Sequence, residues 1–495
     1  MKIVFAASEM TPLCKTGGLA DVVGALPPVL ASKGHEIHVM LPGYGSIDRE
    51  AWGFNARSDR QGIYLGQTVT ALTMSSAEYR GVQVHLLENA DFFSRQGLYG
   101  DENGDYGDND MRFIFYSRAT VEAMKKLGIR PDIVHGHDWQ AGLVMTYLAT
   151  LYRQDPFFAD TRTLFTVHNL GYQGIFSFGA FTLTGLSVSE FHWQKMEYYG
   201  NVSLLKGGLV YADALSTVSR TYAREVATPA GGLGLDGVFY ERKDSLHGIV
   251  NGIDTDMWDP SGDPKIPAAY SYDDLGGKKT CRAALLEKAG LNAKAGDMVI
   301  GIVSRLDDQK GFDIIESAID QIVSLGVRLI VLGTGTLRHH EAMTALQERY
   351  PDSISVFLRF DEGLAHLIYA GSDAFLMPSR YEPCGLGQLI AMRYGTLPIV
   401  RSTGGLADTV VDLTQDPRTG NGFAFTDYSP GTLADAVERA VDSFGKKGRS
   451  RWTNAMRRAM LGDYSWTAAA AKYIDLYESI RNHRKDGLPE NRDRR

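Results

Sequence analysis

The sequence predicts an α/β protein made of two doubly wound domains, each with a parallel sheet covered by helices. Two observations carry this expectation. Short apolar runs alternate with helix-period stretches along nearly the whole chain, the pattern of right-handed βαβ units. The alternation breaks once, at 251–277, a stretch rich in Asp, Pro and Gly that divides the 495 residues into two halves of domain size.

In the first half the expected strands are 2–7, 36–41, 82–87, 132–135, 163–167, 214–217 and 245–250, with helices over 111–127 and 140–153. In the second half they are 298–303, 328–332, 354–358, 374–377 and 397–400, each followed by a helical stretch. The segment 251–277 reads as a linker or hinge. An amphipathic helix closes the chain at 466–480, and the charged stretch 482–495 is expected to be a disordered tail. The resulting domain expectation is 1–250, then 251–465, with the last helix and tail beyond.

Composition narrows the function. Net charge is −8 with no basic stripe, which argues against a nucleic-acid surface. An anionic substrate must then be held by locally placed cations. The start is too short and wrongly flanked for a signal peptide, and no run of 18 apolar residues offers a membrane span. Cys14, Cys281 and Cys384 are scattered without zinc spacing, as expected of free thiols in a reducing cytoplasm.

Four loops carry candidate chemistry, and each is expected at the end of a strand. Lys15-Thr16-Gly17-Gly18-Leu19-Ala20-Asp21 opens a helix with two glycines and a cation, suited to an anion. It is neither a Walker loop nor a Gly-x-Gly-x-x-Gly fingerprint, and Gly333-Thr334-Gly335 lacks a third glycine, which disfavours a dinucleotide oxidoreductase. Ser304-Arg305-Leu306-Asp307-Asp308-Gln309-Lys310-Gly311 places two cations on one loop, where they can neutralise a diphosphate leaving group. Ser379-Arg380-Tyr381-Glu382-Pro383-Cys384-Gly385-Leu386 offers a carboxylate for sugar hydroxyls and N–H groups at a helix start. His135-Gly136-His137-Asp138 and Val167-His168-Asn169 form a polar cluster better suited to sugar hydroxyls than to a metal, since they lack helical ligand spacing. Taken alone, each loop also matches an ordinary turn or helix cap. A Gly-Gly-Leu-Ala-Asp echo at 17–21 and 404–408 suggests a shared job, as in two Rossmann-like domains presenting loops to one cleft.

Together these residues resemble the bacterial glycogen synthase and plant starch synthase family, retaining glucosyltransferases of the GT-B fold. The likeness rests on 15–21, His137-Asp138-Trp139-Gln140, 167–169, Val250-Asn251-Gly252-Ile253-Asp254, 304–311, Pro378 to Leu386, and 402–410, in order over nearly the whole chain. The resemblance implies two Rossmann-like domains facing a deep cleft, with the helix at 466–481 crossing back to the first. It implies glucose transfer from ADP-glucose to the 4-hydroxyl end of an α-1,4-glucan (glycogen), with no metal or other cofactor. Donor binding falls mainly on the second domain and acceptor binding on the first. In that reading Arg305 and Lys310 neutralise the diphosphate, while Lys15, Gly17 and Gly18 meet the distal phosphate or sugar. Glu382 lies at the transferred glucose, with the backbone of Cys384, Gly385 and Leu386 nearby. The His168 carbonyl lies beneath the anomeric carbon, and Asp138 and Asn251 bind glucose hydroxyls. Tyr99 closes over the site, and Asp21 lies toward the nucleoside.

Two departures stand out. Ile390 occupies the position where many retaining GT-B enzymes carry a ribose-binding Glu, a change shared with ADP-glucose enzymes of bacteria. Gly387 stands where the family often has Thr, which is expected to loosen the donor loop. Rival readings are a GT-B nucleotide-sugar epimerase, a phosphorylase with a pyridoxal lysine, and a non-catalytic glucan-binding protein.

Overall fold

The computed structural model describes residues 1–56, 60–294, 296–445 and 448–482. The expected disordered tail lies outside the described residues from 483 onward; Asn482 is the last residue of a helix. The chain forms two compact units. Unit 1 comprises Met1–Val218, Ala223–Ile249 and the chain from Trp466, and unit 2 comprises Ser219–Tyr222 and Val250–Ser465.

The unit 1 sheet contains β1 (Lys2–Ala6), β2 (Glu36–Pro42), β3 (Asn55–Ala56), β4 (Gln61–Leu65), β5 (Thr68–Tyr79), β6 (Val82–Glu88), β7 (Ile133–His137), β8 (Arg162–Val167), β9 (Ala214–Thr217) and β10 (Leu246–Gly248). Their order is β10-β9-β8-β7-β1-β2-β6-β5-β3, with β4 paired to β5. From β10 to β6 every pairing is parallel. β5 runs antiparallel to β6, β4 and β3. This antiparallel edge departs from the all-parallel expectation. Its connections are tight: Arg80 and Gly81 both take positive φ between β5 and β6, the geometry of a two-residue hairpin turn. With no crossover helix, the segment gave no α/β alternation to read.

Unit 2 contains β11 (Met298–Val303), β12 (Val327–Leu332), β13 (Ile354–Phe357), β14 (Ala374–Met377), β15 (Leu397–Arg401) and β16 (Phe423–Phe425). The order is β13-β12-β11-β14-β15-β16, and all pairs are parallel. β11 and β12 read as near-continuous Val, Ile and Leu runs because helices cover both faces. β16, three residues long, is too short to show a period.

The 251–277 segment corrects the linker expectation. Ile253, Ile266 and Tyr270 are buried in the unit 2 core. The Asp263 carboxylate accepts from the Tyr394 hydroxyl at 2.6 Å and pairs with His366 at 2.7 Å. Its anchors are irregularly spaced, so they carry no periodic signal. The C-terminal helix, Trp466–Asn482, belongs to unit 1 and buries Trp466, Tyr473, Tyr477 and Ile480.

Candidate active site

Both sheets contain the doubly wound strand order 3-2-1-4-5-6. In unit 2 it runs from β13 to β16, and in unit 1 the same order appears in β6-β2-β1-β7-β8-β9, with β10 added outside. The order reverses between β11 and β14 in unit 2 and between β1 and β7 in unit 1. Ligands of such sheets bind at the carboxyl ends of the strands flanking that reversal. All four loops singled out in the sequence leave the sheets near these two places.

In unit 2 the loop after β11 meets the loop after β14. Gly311 lies at φ +80°, and a Cβ there would stand 2.2 Å from the Pro378 carbonyl oxygen, so only glycine lets the loops close. The Arg380 N–H donates to the Gln309 carbonyl at 2.8 Å. This contact brings the Lys310 ammonium to the Glu382 carboxylate at 2.6 Å, and the Ser379 hydroxyl donates to the same oxygen at 3.0 Å. Glu382 is nearly buried and Lys310 largely so. Arg305 differs: it is more than half exposed and contacts Asp307 at 3.1 Å. The structure therefore joins Lys310 to Glu382 while holding Arg305 on Asp307. A hollow of about 330 Å³ is lined by Arg305, Leu306, Asp307, Thr334, Gly335 and Thr336.

The 384–387 turn is held from beneath. Gly385 takes φ +72°, and the buried Gln388 amide donates to the Cys384 and Gly385 carbonyls at 3.1 and 2.8 Å. Burial pushes the Cys384 thiol up to about 12, and it meets the Asn251 backbone. Asn251 is buried, and its side-chain oxygen has no hydrogen-bond partner among the described residues. Leu386 precedes the short helix Gly387–Arg393. At Gly387 a Cβ would approach the Phe375 ring to 3.0 Å; glycine there accommodates Phe375 beneath the helix start. Ile390 is buried in the unit 2 core and offers no polar group.

In unit 1 the loop after β1 is organised by Glu9, a residue the sequence reading did not single out. Its buried carboxylate accepts from the Thr16 N–H at 2.5 Å, the Thr16 hydroxyl at 2.7 Å, the Gly17 N–H at 3.0 Å and the Tyr99 hydroxyl at 2.7 Å. Tyr99, also 2.7 Å from the Ser8 hydroxyl, is thus fixed on Glu9. The Gly17 N–H, expected to face a ligand anion, is turned to an internal carboxylate. A carboxylate shortly after a strand was the available signal, but its donors come from as far along the chain as residue 99. Lys15 pairs with Asp21 at 2.7 Å and stays half-exposed. A Cβ at Gly17 or Gly18 would meet nothing within 4 Å.

The loops after β7 and β8 form the other side of this reversal. Asp138 has φ +54°, an unfavourable backbone region for a non-glycine residue. Its carboxylate accepts the His168 N–H at 2.7 Å. Burial raises Asp138 to about 7, and the backbone N–H groups of His168 and Asn169 oppose that rise. Around it lie three buried or half-buried imidazoles. His135 contacts the Tyr477 hydroxyl at 2.8 Å and the Thr166 hydroxyl at 2.6 Å, and His137 Nδ1 contacts His168 Nε2 at 2.9 Å. Burial drives all three far down, His168 to about 3. The three imidazoles are therefore neutral at physiological pH. Among the described residues no group of three or more His, Cys, Asp or Glu is placed to hold a metal ion.

The sequence echo does not survive as a shared device. Gly404 sits at φ +45°, with the Glu382 carbonyl oxygen 1.9 Å from where a Cβ would stand, and Gly405 packs on Cys384. Asp408 accepts the Arg220 N–H at 2.6 Å and the Thr221 hydroxyl at 2.6 Å. The later copy supports the Glu382 loop by close backbone approach; the earlier copy leaves its glycines open.

Residues 2–241 match the family model described as the starch synthase catalytic domain, and 286–459 match glycosyl transferases group 1. Glycogen synthase of Geotalea daltonii is 43% identical over 97% of this chain and 99% of its own length. Glycogen synthase 2 of Geobacter sulfurreducens is 44% identical over 98% of this chain and all of its own length. The catalytic domain of Arabidopsis thaliana starch synthase IV, solved with ADP and acarbose, superposes with a TM-score of 0.89 at 34% identity, covering 97% of this chain and 99% of that one. Sucrose-phosphate synthase of Thermosynechococcus elongatus, at 17% identity, a TM-score of 0.59 and coverage of 97% and 98%, shares the fold.

Proposed function

The chain belongs to the bacterial glycogen synthase and plant starch synthase family and transfers glucose in glycogen synthesis; we propose that its donor is ADP-glucose and its acceptor the non-reducing 4-hydroxyl end of an α-1,4-glucan, in the cytoplasm. The observation that supports a nucleoside-diphosphate donor is the Lys310–Glu382 pair at the strand reversal of unit 2, with Arg305 exposed on the same loop as Lys310. A nucleoside diphosphate gains negative charge as the sugar leaves. One unit charge at ~4 Å in an effective dielectric of ~20 interacts by about 4 kcal/mol before desolvation. Felt in the transition state, that is on the order of 10³ in rate.

In this reading Lys310 contacts Glu382 and the distal phosphate together, and Arg305 leaves Asp307 for the diphosphate. Glu382 accepts from hydroxyls of the transferred glucose. Unit 1 offers the His168 carbonyl to the anomeric carbon, where it stabilises developing positive charge. Asp138 holds that turn through the His168 N–H. The bond from the anomeric carbon to the phosphate oxygen breaks, and one to the acceptor 4-oxygen forms on the same face. The hydroxyl proton passes to the departing phosphate, and the α configuration is retained. Lys15 and Asp21 bind toward the phosphate and nucleoside, and Asn251 toward the sugar. The buried Ile390 leaves no carboxylate for the ribose, which fits ADP-glucose.

The test is nucleotide release from ADP-glucose or UDP-glucose, with and without glycogen. ADP release that requires glycogen supports the proposal. A nucleotide sugar altered with no acceptor present would instead identify an epimerase.

A further inference from the structure

We propose that His137 is a positioning residue: by donating its Nδ1–H to His168 Nε2, it holds His168 as the Nδ1–H tautomer, so that the ring presents one defined donor to a sugar oxygen. This rests on the assignment of His168 to the transferred glucose.

His137 Nδ1 lies 2.9 Å from His168 Nε2. Two neutral imidazoles in contact must divide the roles, one donating and the other accepting. The geometry beyond that contact decides which. His137 is fully buried, and its Nε2 has no partner among the described residues. Were the proton on Nε2, a buried N–H would be orphaned. With the proton on Nδ1, the orphan is a lone pair. Unpaired buried N–H groups are the rarer and costlier case, so His137 carries its proton on Nδ1. His168 Nε2 is then the acceptor, and the proton of neutral His168 must sit on Nδ1. Burial keeps both rings neutral, which removes the doubly protonated alternative.

The His137 ring is also clamped. Phe5 stacks on it at 5.5 Å with planes 12° apart, and His135 lies 4.0 Å from it. His135 is itself tied to Tyr477 and Thr166. Held by these neighbours, His137 keeps Nδ1 toward His168. Asp138 fixes the His168 backbone through its N–H, while His137 fixes its ring. Backbone and side chain of one residue are thus oriented by two consecutive residues at the end of β7.

The direct test uses the intact wild-type protein labelled with ¹⁵N-histidine, read by long-range ¹H–¹⁵N correlation near neutral pH. The His168 signals are assigned by their loss in a His168→Gln variant, and the His137 signals by their loss in His137→Asn. The expected spectrum shows both residues neutral with protonated Nδ1. An Nε2-protonated or imidazolium His168 overturns the proposal. The functional arm compares His137→Leu, which cannot donate, with His137→Asn, whose side-chain N–H stands near the Nδ1 position. Leu is expected to lower kcat by about tenfold and to bring Nε2–H character into the His168 signals, while Asn restores most of both. Unchanged kcat and an unchanged His168 tautomer in the Leu variant would overturn the proposal, and if that variant does not fold the wild-type spectrum decides alone. A wild type that fails to release ADP from ADP-glucose with glycogen sinks the functional reading, whereas the tautomer is decided by the spectrum.

Discussion

The ends of the two sheets share a strand order and differ in how they carry charge. At the reversal in unit 2 the candidate groups are ionic: Lys310 on Glu382, and Arg305 exposed beside Asp307. At the reversal in unit 1 the loop after β1 pairs Lys15 with Asp21, whereas the groups at the ends of β7 and β8 are neutral imidazoles and backbone dipoles, with the Asp138 carboxyl on a strained backbone. A leaving diphosphate calls for full charges that strengthen as it departs. A sugar ring calls for fixed dipoles that do not attract water or stray ions. In the proposed reading one architecture serves both tasks, with its loops, rather than its strands, holding the chemistry.

Removing the cations should have the largest effect. Lys310→Ala and Arg305→Ala should each lower kcat by about 10²–10³. Only Lys310→Ala should also lower Tm, since it leaves Glu382 buried with one hydroxyl donor, while Arg305 is mostly exposed. Near-normal turnover in either variant would remove the leaving-group role, and calorimetry separates the stability effects.

Glycine substitution compares the two Gly-Gly turns. Gly404→Ala forces a side chain to positive φ and into the Glu382 carbonyl, at a cost of about 2–4 kcal/mol. Gly17→Ala, in extended backbone with open space, should stay within about 0.5 kcal/mol. Equal denaturant midpoints for the two variants would contradict the difference in packing.

A smaller effect comes from pH. Burial raises Asp138 in the folded state from 3.8 to about 7. Between those values the folded chain holds the proton that the unfolded chain has released. This residue therefore contributes stability at low pH that is lost as pH rises toward about 7. The buried histidines act oppositely, because acid must charge them. The difference in Tm between wild type and Asp138→Asn isolates the carboxyl: it should fall as pH rises across that window, and a flat difference would refute the raised value. The smallest expected effect is none. In the proposed reading Arg305 and Lys310 neutralise the diphosphate, so initial rates should be unchanged by EDTA, and a loss restored by Mg²⁺ would overturn that division of labour.

Most sheet strands of unit 2 were legible because each is a short apolar run followed by a helical repeat, and periodicity is a local property. The loops after β11 and β14 were legible for the same reason, since a strand end followed by charge and glycine is visible within ten residues. The antiparallel β5 was not, because its polar alternation stood between two tight turns with no helix to mark it. Glu9 was not, because a carboxylate shows its purpose only once the Tyr99 hydroxyl reaches it.

Residue order settled where the chain bends, which faces are apolar, and which loops hold the cations and glycines, since these depend on neighbours a few positions apart. Folding settled the partnerships: Lys310 with Glu382 across 72 positions, Tyr99 with Glu9 across 90, and His137 with His168 across 31. It also turned two similar glycine pairs into one open turn and one close-packed support. The physical reason is range: backbone preference and apolar period act over one or two turns of chain, whereas ion pairing, burial and proton placement depend on groups that meet only when the sheets assemble.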